Sequence, residues 1–151
     1  MNRSLSYSIL WSIMIGLSLG IGYVLQNTIW DDRSQLLLIF GSLAGLLAGF
    51  VTFPLTNLLS KLLPKTSLFA FVLVFLAGFS LVFTFCLSLF YTFQYVSRFH
   101  DPFGTGNSLK DLLLLTLVHG YSFVAVMLRL FVPVGLISLF GISFAFIRRI
   151  S

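Results

Sequence analysis

The chain has 151 residues, of which 58% are hydrophobic and only 9% charged, whereas a water-soluble domain holds roughly 45–50% and 25%. A soluble domain is therefore excluded. The net charge of +5 does not indicate nucleic-acid binding, because the basic residues are scattered over the ends and connectors without forming a stripe.

Residues 5–26 form the first apolar run, about 33 Å long as a helix and long enough for a bilayer core of about 30 Å. Arg3 ahead of it, and the small residues Ser18 and Gly20 either side of Leu19, resemble a signal peptide. The run continues through Ile21 to Leu25, however, which predicts an uncleaved anchor. Ser8, Ser12, Gly16 and Gly20 recur every four residues and make a strip of small side chains on one helical face. The connector 27–34 holds Trp30, which with Tyr23 suits a membrane interface.

The second run, 35–60, carries a stronger version of that strip. Gly41, Ala44, Gly45, Ala48, Gly49 and Thr52 share one face, and Ile39, Leu43, Leu46, Leu47 and Phe50 crowd the other. Each glycine costs about 1 kcal/mol against alanine in a helix interior, a cost that close backbone packing between helices in lipid offsets. Folding back about the connector predicts a close-packed antiparallel hairpin in which paired residue numbers sum to about 61. Gly20 then meets Gly41, Gly16 meets Gly45, and Ser12 meets Gly49. The competing use of the strip is self-association between copies of the chain. Pro54 predicts a kink or the start of a short surface helix with Asn57, Ser60 and Lys61 on its wetter part, and Lys61 to Lys65 a basic turn.

The third run, 67–96, is about 45 Å long as a helix. Phe71, Phe75, Phe79 and Phe83 repeat every four residues and form a bulky stripe suited to lipid or to a packed neighbour. Cys86, the one cysteine, reads as a small buried apolar residue. Tyr91 and Tyr95 fit an aromatic belt. Between 97 and 110 the chain is polar and turn-rich. Gly104-Thr105-Gly106 is too short for a phosphate loop, and His100 with Asp101 falls short of a metal ligand set.

The last run, 112–147, would be about 54 Å long and contains His119, Arg129 and Pro133. It predicts one long helix kinked near Arg129 to Pro133, whose membrane-crossing part is about 130–147. The competing threading makes 112–128 a separate fifth span, and needs a tight turn at Arg129 to Pro133, where turn-forming residues are nearly absent. Charge separates the two. Four spans place Arg3, Lys61, Lys65, Arg148 and Arg149 on the cytoplasmic side against Arg33, Arg98 and Lys110 outside, as the positive-inside rule requires; five spans reverse the balance. The expected fold is thus all-α: a single polytopic domain of four transmembrane helices in the cytoplasmic (inner) membrane, both termini in the cytoplasm.

Two constellations remain as functional candidates. The first is the packing strip of Ser12, Gly16, Gly20, Gly41, Gly45 and Gly49. The second lies on the last helix, where Asp111, Ser122, Ala125 and Arg129 fall roughly on one face with His119 to its side. Ionisable groups at membrane depth are functional candidates, and histidine changes charge near neutral pH, so a proton or anion pathway is one reading. The other has Arg129 anchoring the helix at the headgroups and His119 hydrogen-bonded within the bundle or in the interface. The second is preferred because no acidic residue sits in a span to pair with either.

Neither nucleophilic catalysis nor haem ligation assembles from Cys86, His100 and His119, which fall at different depths. No enzyme activity, catalytic residue, cofactor or metal is expected. The partners expected are the lipid bilayer and either further copies or other membrane proteins. The expected role is an accessory or structural subunit, the alternative a small channel or transporter component acting as a homo-oligomer.

Overall fold

The computed structural model describes residues 3–25, 32–99 and 109–150. They form four helices: α1 (Arg3–Leu25), α2 (Asp32–Leu59), α3 (Lys65–Phe99) and α4 (Leu109–Ile150). The 27–31 part of the connector with Trp30, and His100 with Asp101, lie outside the described residues.

Pro54 does not end α2, which continues to Leu59. The turn that follows is closed by Leu62 and Leu63 backbone amides donating to the Leu59 carbonyl, and by Leu68 N–H donating to Pro64 at the start of α3. The third helix starts two residues earlier and ends three later than the apolar run alone indicates. A helix stops where backbone pairing stops, and polar residues such as Ser97 and Arg98 continue it readily. The fourth helix passes through Arg129 and Pro133 as one 42-residue element. The turn required for a fifth span is not formed there.

Successive helices lie antiparallel in a closed ring. Ser8 of α1 touches Gly49 of α2, and Phe40 of α2 meets Tyr91 of α3 edge-on at 5.7 Å. Gly120 of α4 lies against Leu89 of α3, and Gly22 of α1 against the Leu130 backbone of α4. Across the diagonal, Phe53 of α2 and Phe146 of α4 approach to 4.5 Å. The start of α1, the end of α2 and the end of α4 therefore share one end of the bundle.

The bundle is apolar on its outside as well as in its core, and small hydroxyl groups are packed among the buried apolar side chains. Ser8, Ser18, Thr52, Thr56, Ser80, Thr84, Ser88, Thr116 and Ser143 are buried, while Val24, Ile137 and Tyr121 are 75%, 74% and 73% exposed. Many of the buried hydroxyls donate one turn back along their own helix, as Thr84 does to the Ser80 carbonyl at 2.7 Å and Ser18 to Met14 at 2.6 Å. Such groups spend their hydrogen internally and can then face an apolar neighbour.

The four helices are each long and apolar enough to cross a membrane. By length and composition the qualifying part of α4 is Leu113–Val132, earlier than the 130–147 segment expected from sequence. Packing weights the other half: the stretch after Met127 lies beside α1, because Gly22 meets Leu130 and Tyr7 meets Phe146.

Candidate functional site

The small-residue strip is the contact surface between α1 and α2, with some of its members displaced. A Cβ built on Gly49 would fall 2.8 Å from Ser8 Cα, and one on Gly45 would meet Ile15 at 2.5 Å and Ser12 Cα at 3.5 Å. The Gly41 position is filled by Leu19 and Ile15 of α1, with Met127 of α4 behind them at 3.5 Å. Ser12 donates to the Ser42 carbonyl at 2.7 Å, and Gly16 faces the Ser42 side chain.

The hairpin thus pairs Ser8 with Gly49 and Ser12 with Gly45, residue numbers that sum to 57 in place of the expected 61. Gly20 has open space where a Cβ would stand and belongs to no tight contact. The shift is one helical turn. Its cause is the helix boundary: α2 starts at Asp32, so the fold-back point lies earlier than a loop reaching to Ser34 implies.

Two residues outside the expected strip matter as much. Gly22 is buried, and any Cβ there would run into the Leu130 carbonyl and Cα, so the α1 and α4 backbones are in close contact at this point. Trp11 is fully buried and sends its Nε1–H across the ring to Ser80 Oγ of α3 at 3.1 Å, while Ser80 donates onward to the Leu76 carbonyl at 2.6 Å. With Asn57 of α2 donating to Ser4 Oγ at 3.0 Å and the Tyr7 hydroxyl donating to the Ala145 carbonyl at 3.4 Å, α1 is tied by side-chain bonds to all three other helices. The signal for Trp11 was present in the sequence, since an indole N–H in mid-span must find an acceptor. Gly22 carried no such signal, because it stands off the four-residue repeat.

The ionisable candidates sit on the outer surface of α4. His119 is exposed, with Nδ1 2.9 Å from the Leu115 carbonyl of its own helix, and Ser122 donates back to the His119 carbonyl at 2.8 Å. Arg129 is exposed as well, and the Gly22–Leu130 contact sets it level with the last turn of α1. Ten residues of helix separate His119 and Arg129 by about 15 Å and turn them to different sides. Asp111 and Pro133 belong to α4, but their side chains lie outside the described residues. Among the described residues no group of three or more His, Cys, Asp or Glu side chains comes together to hold a metal ion.

Cys86 corrects another expectation. It is exposed on the outside of α3, since a lipid-facing and a protein-facing position look alike in composition. The phenylalanine stripe is a ladder of neighbouring rings, Phe71 stacked on Phe75 at 4.1 Å, Phe75 edge-on to Phe79 at 5.5 Å and Phe79 tilted against Phe83 at 6.2 Å. Thr52 Oγ1 and Ser143 Oγ are buried without a hydrogen-bond partner among the described residues.

Comparison of the chain with protein-family models, with curated proteins and with solved structures gives no match.

Proposed function

We propose that the protein is a multi-pass integral membrane protein whose role is that of a non-catalytic accessory or structural subunit, binding lipid on its outside and other membrane proteins, or further copies of itself, through its apolar faces. The observation that carries this reading is the apolar exterior: large apolar side chains cover the outside of all four helices, around a core that is itself apolar. In water that exterior would be strongly unfavourable, at roughly 25 cal/mol per Å² of apolar surface; in lipid it costs nothing.

The interior favours a structural role over a conducting one. Trp11, Ile15, Leu19, Phe53, Val72 and Leu76 are all fully buried, so the ring formed by one chain is filled along its middle. In this reading the close hairpin of α1 and α2 is an intrachain device, and α4 bends near Arg129 to Pro133, where the proline removes one backbone donor. The basic residues orient the chain with both termini in the cytoplasm of the inner membrane.

The second reading, a small channel or transporter assembled from several copies, draws on His119 and Arg129 lying on the exposed surface of α4, where a neighbouring copy would cover them. Purification of the intact protein in mild detergent separates the two. Foreign membrane subunits that co-purify at fixed stoichiometry support the accessory role. A ring of identical chains that conducts ions in liposomes contradicts it.

A further inference from the structure

At the end of the bundle where α1 begins and where α2 and α4 finish, a cleft of about 230 Å³ opens between Tyr7, Asn57, Phe146, Arg149 and Ile150. Three helices contribute to it. Tyr7 and Phe146 meet edge to face at 5.0 Å, and Phe53 packs against both, 5.8 Å from Tyr7 and 4.5 Å from Phe146, so the aromatic side of the cleft is firm. Asn57 is held in place by its bond to Ser4 Oγ, which uses one of its two amide hydrogens and leaves the other to give. Arg149 is exposed and has no ion-pair partner among the described residues.

The charges around the cleft are of one sign. Lys61, Lys65, Arg148 and Arg149 lie at this end of the bundle, in the turn between α2 and α3 and in the last turn of α4. Among the described residues that line the cleft, Asn57 and Arg149 offer hydrogen-bond donors and none is a carboxylate. Guanidinium geometry matches a phosphate bidentately. The apolar part of the lining continues along α4: Ala145 and Gly141, four and eight residues before Arg149, share its side of the helix, are exposed, and Gly141 has open space where a side chain would stand. They form a shallow lane leading from the guanidinium towards mid-membrane.

We propose that this cleft binds the phosphodiester headgroup of an anionic phospholipid, with Arg149 and Asn57 on the phosphate and one acyl chain in the lane over Ala145 and Gly141. The assignment rests on the membrane reading above. A lipid is favoured over a free phosphate because Tyr7, Phe146 and Ile150 line the cleft with ring and aliphatic carbon that inorganic phosphate would leave bare.

The test uses the intact protein. Alkaline carbonate extraction of membranes first decides residence: recovery in the pellet upholds the membrane reading, and release into the wash would overturn both it and the lipid site. The detergent-purified protein is then offered phosphatidylglycerol and phosphatidylcholine of the same acyl chains, and retained lipid is counted by native mass spectrometry. Preferential retention of phosphatidylglycerol is expected, with R149Q lowering it about tenfold, the equivalent of one charge-assisted hydrogen-bonding group. R148Q, which removes the same charge one residue away, should change it little, and G141L should lower it by blocking the lane. Equal losses in R148Q and R149Q would mean diffuse charge attraction and overturn the site. Displacement of the lipid by inorganic phosphate in millimolar excess, with G141L unaffected, would make it a free-anion site and overturn the lipid assignment.

Discussion

At the scale of single residues the fold depends on where a side chain is missing. Gly22 and Gly20 are two positions apart on α1, which on a helix turns them to nearly opposite sides. Gly22 faces the Leu130 backbone, while Gly20 faces open space. Gly22→Ala should therefore destabilise the bundle by about 1–3 kcal/mol, the range for overfilling a packed site that cannot yield. Gly20→Ala should be neutral or stabilising by up to about 1 kcal/mol through helix propensity. Unfolding of the detergent-solubilised protein by a denaturing detergent, followed by circular dichroism, measures both.

The four-residue repeat that runs through Gly20 made it look like an interface residue and left Gly22 unnoticed, because spacing reports which residues share a face but not which face meets a neighbour. Cys86 teaches the same lesson from the other side: in a sequence this apolar, inward and lipid-facing positions have the same chemistry. His119 and Arg129 were legible as the histidine and arginine in the middle of α4. That both stand on its outer surface was not, since only the packing of α1 and α3 against the opposite side decides it.

At the scale of elements the readable features were helix number, helix type and the antiparallel order. Apolar runs separated by polar turns determine these almost alone. The register of the first hairpin was less legible because it depends on where two helices stop. Treating 27–34 as loop gives one pairing; a helix that starts at Asp32, with an aspartate suited to the positive end of the helix dipole, shifts it by a turn.

The structure places the Ser42 Cβ 4.0 Å from a Cβ at position 16, inside the range of about 3.5–4.5 Å that a disulfide requires. With Cys86 replaced by serine, the G16C/S42C pair should close an intramolecular disulfide under mild oxidation, seen as a mobility shift on a non-reducing gel. The G16C/G45C pair, which the alternative register would bring together, should close far more slowly. Rapid closure of 16 with 45, or cross-linking between chains in place of within them, would contradict the hairpin described here.

For the molecule as a whole, the length of α4 was legible and its use was not. A 42-residue helix extends to about 63 Å, twice the thickness of the bilayer core, and sequence alone permits it to be one span or two. Packing decides in favour of one: the half after Met127 lies along α1, and Gly120 in the earlier half lies along Leu89 of α3, so a single continuous element serves both neighbours in turn. Membrane residence of this closed ring is the claim on which the proposed role and the lipid cleft both depend.

Topology measures that claim directly. Single cysteines introduced in a C86S background by K61C, G104C and S151C can be labelled with a membrane-impermeant maleimide in sealed vesicles of known orientation. Positions 61 and 151 should react from one side and position 104 from the other. Labelling of 61 and 151 from opposite sides would establish an odd number of crossings between them and contradict the four-helix threading.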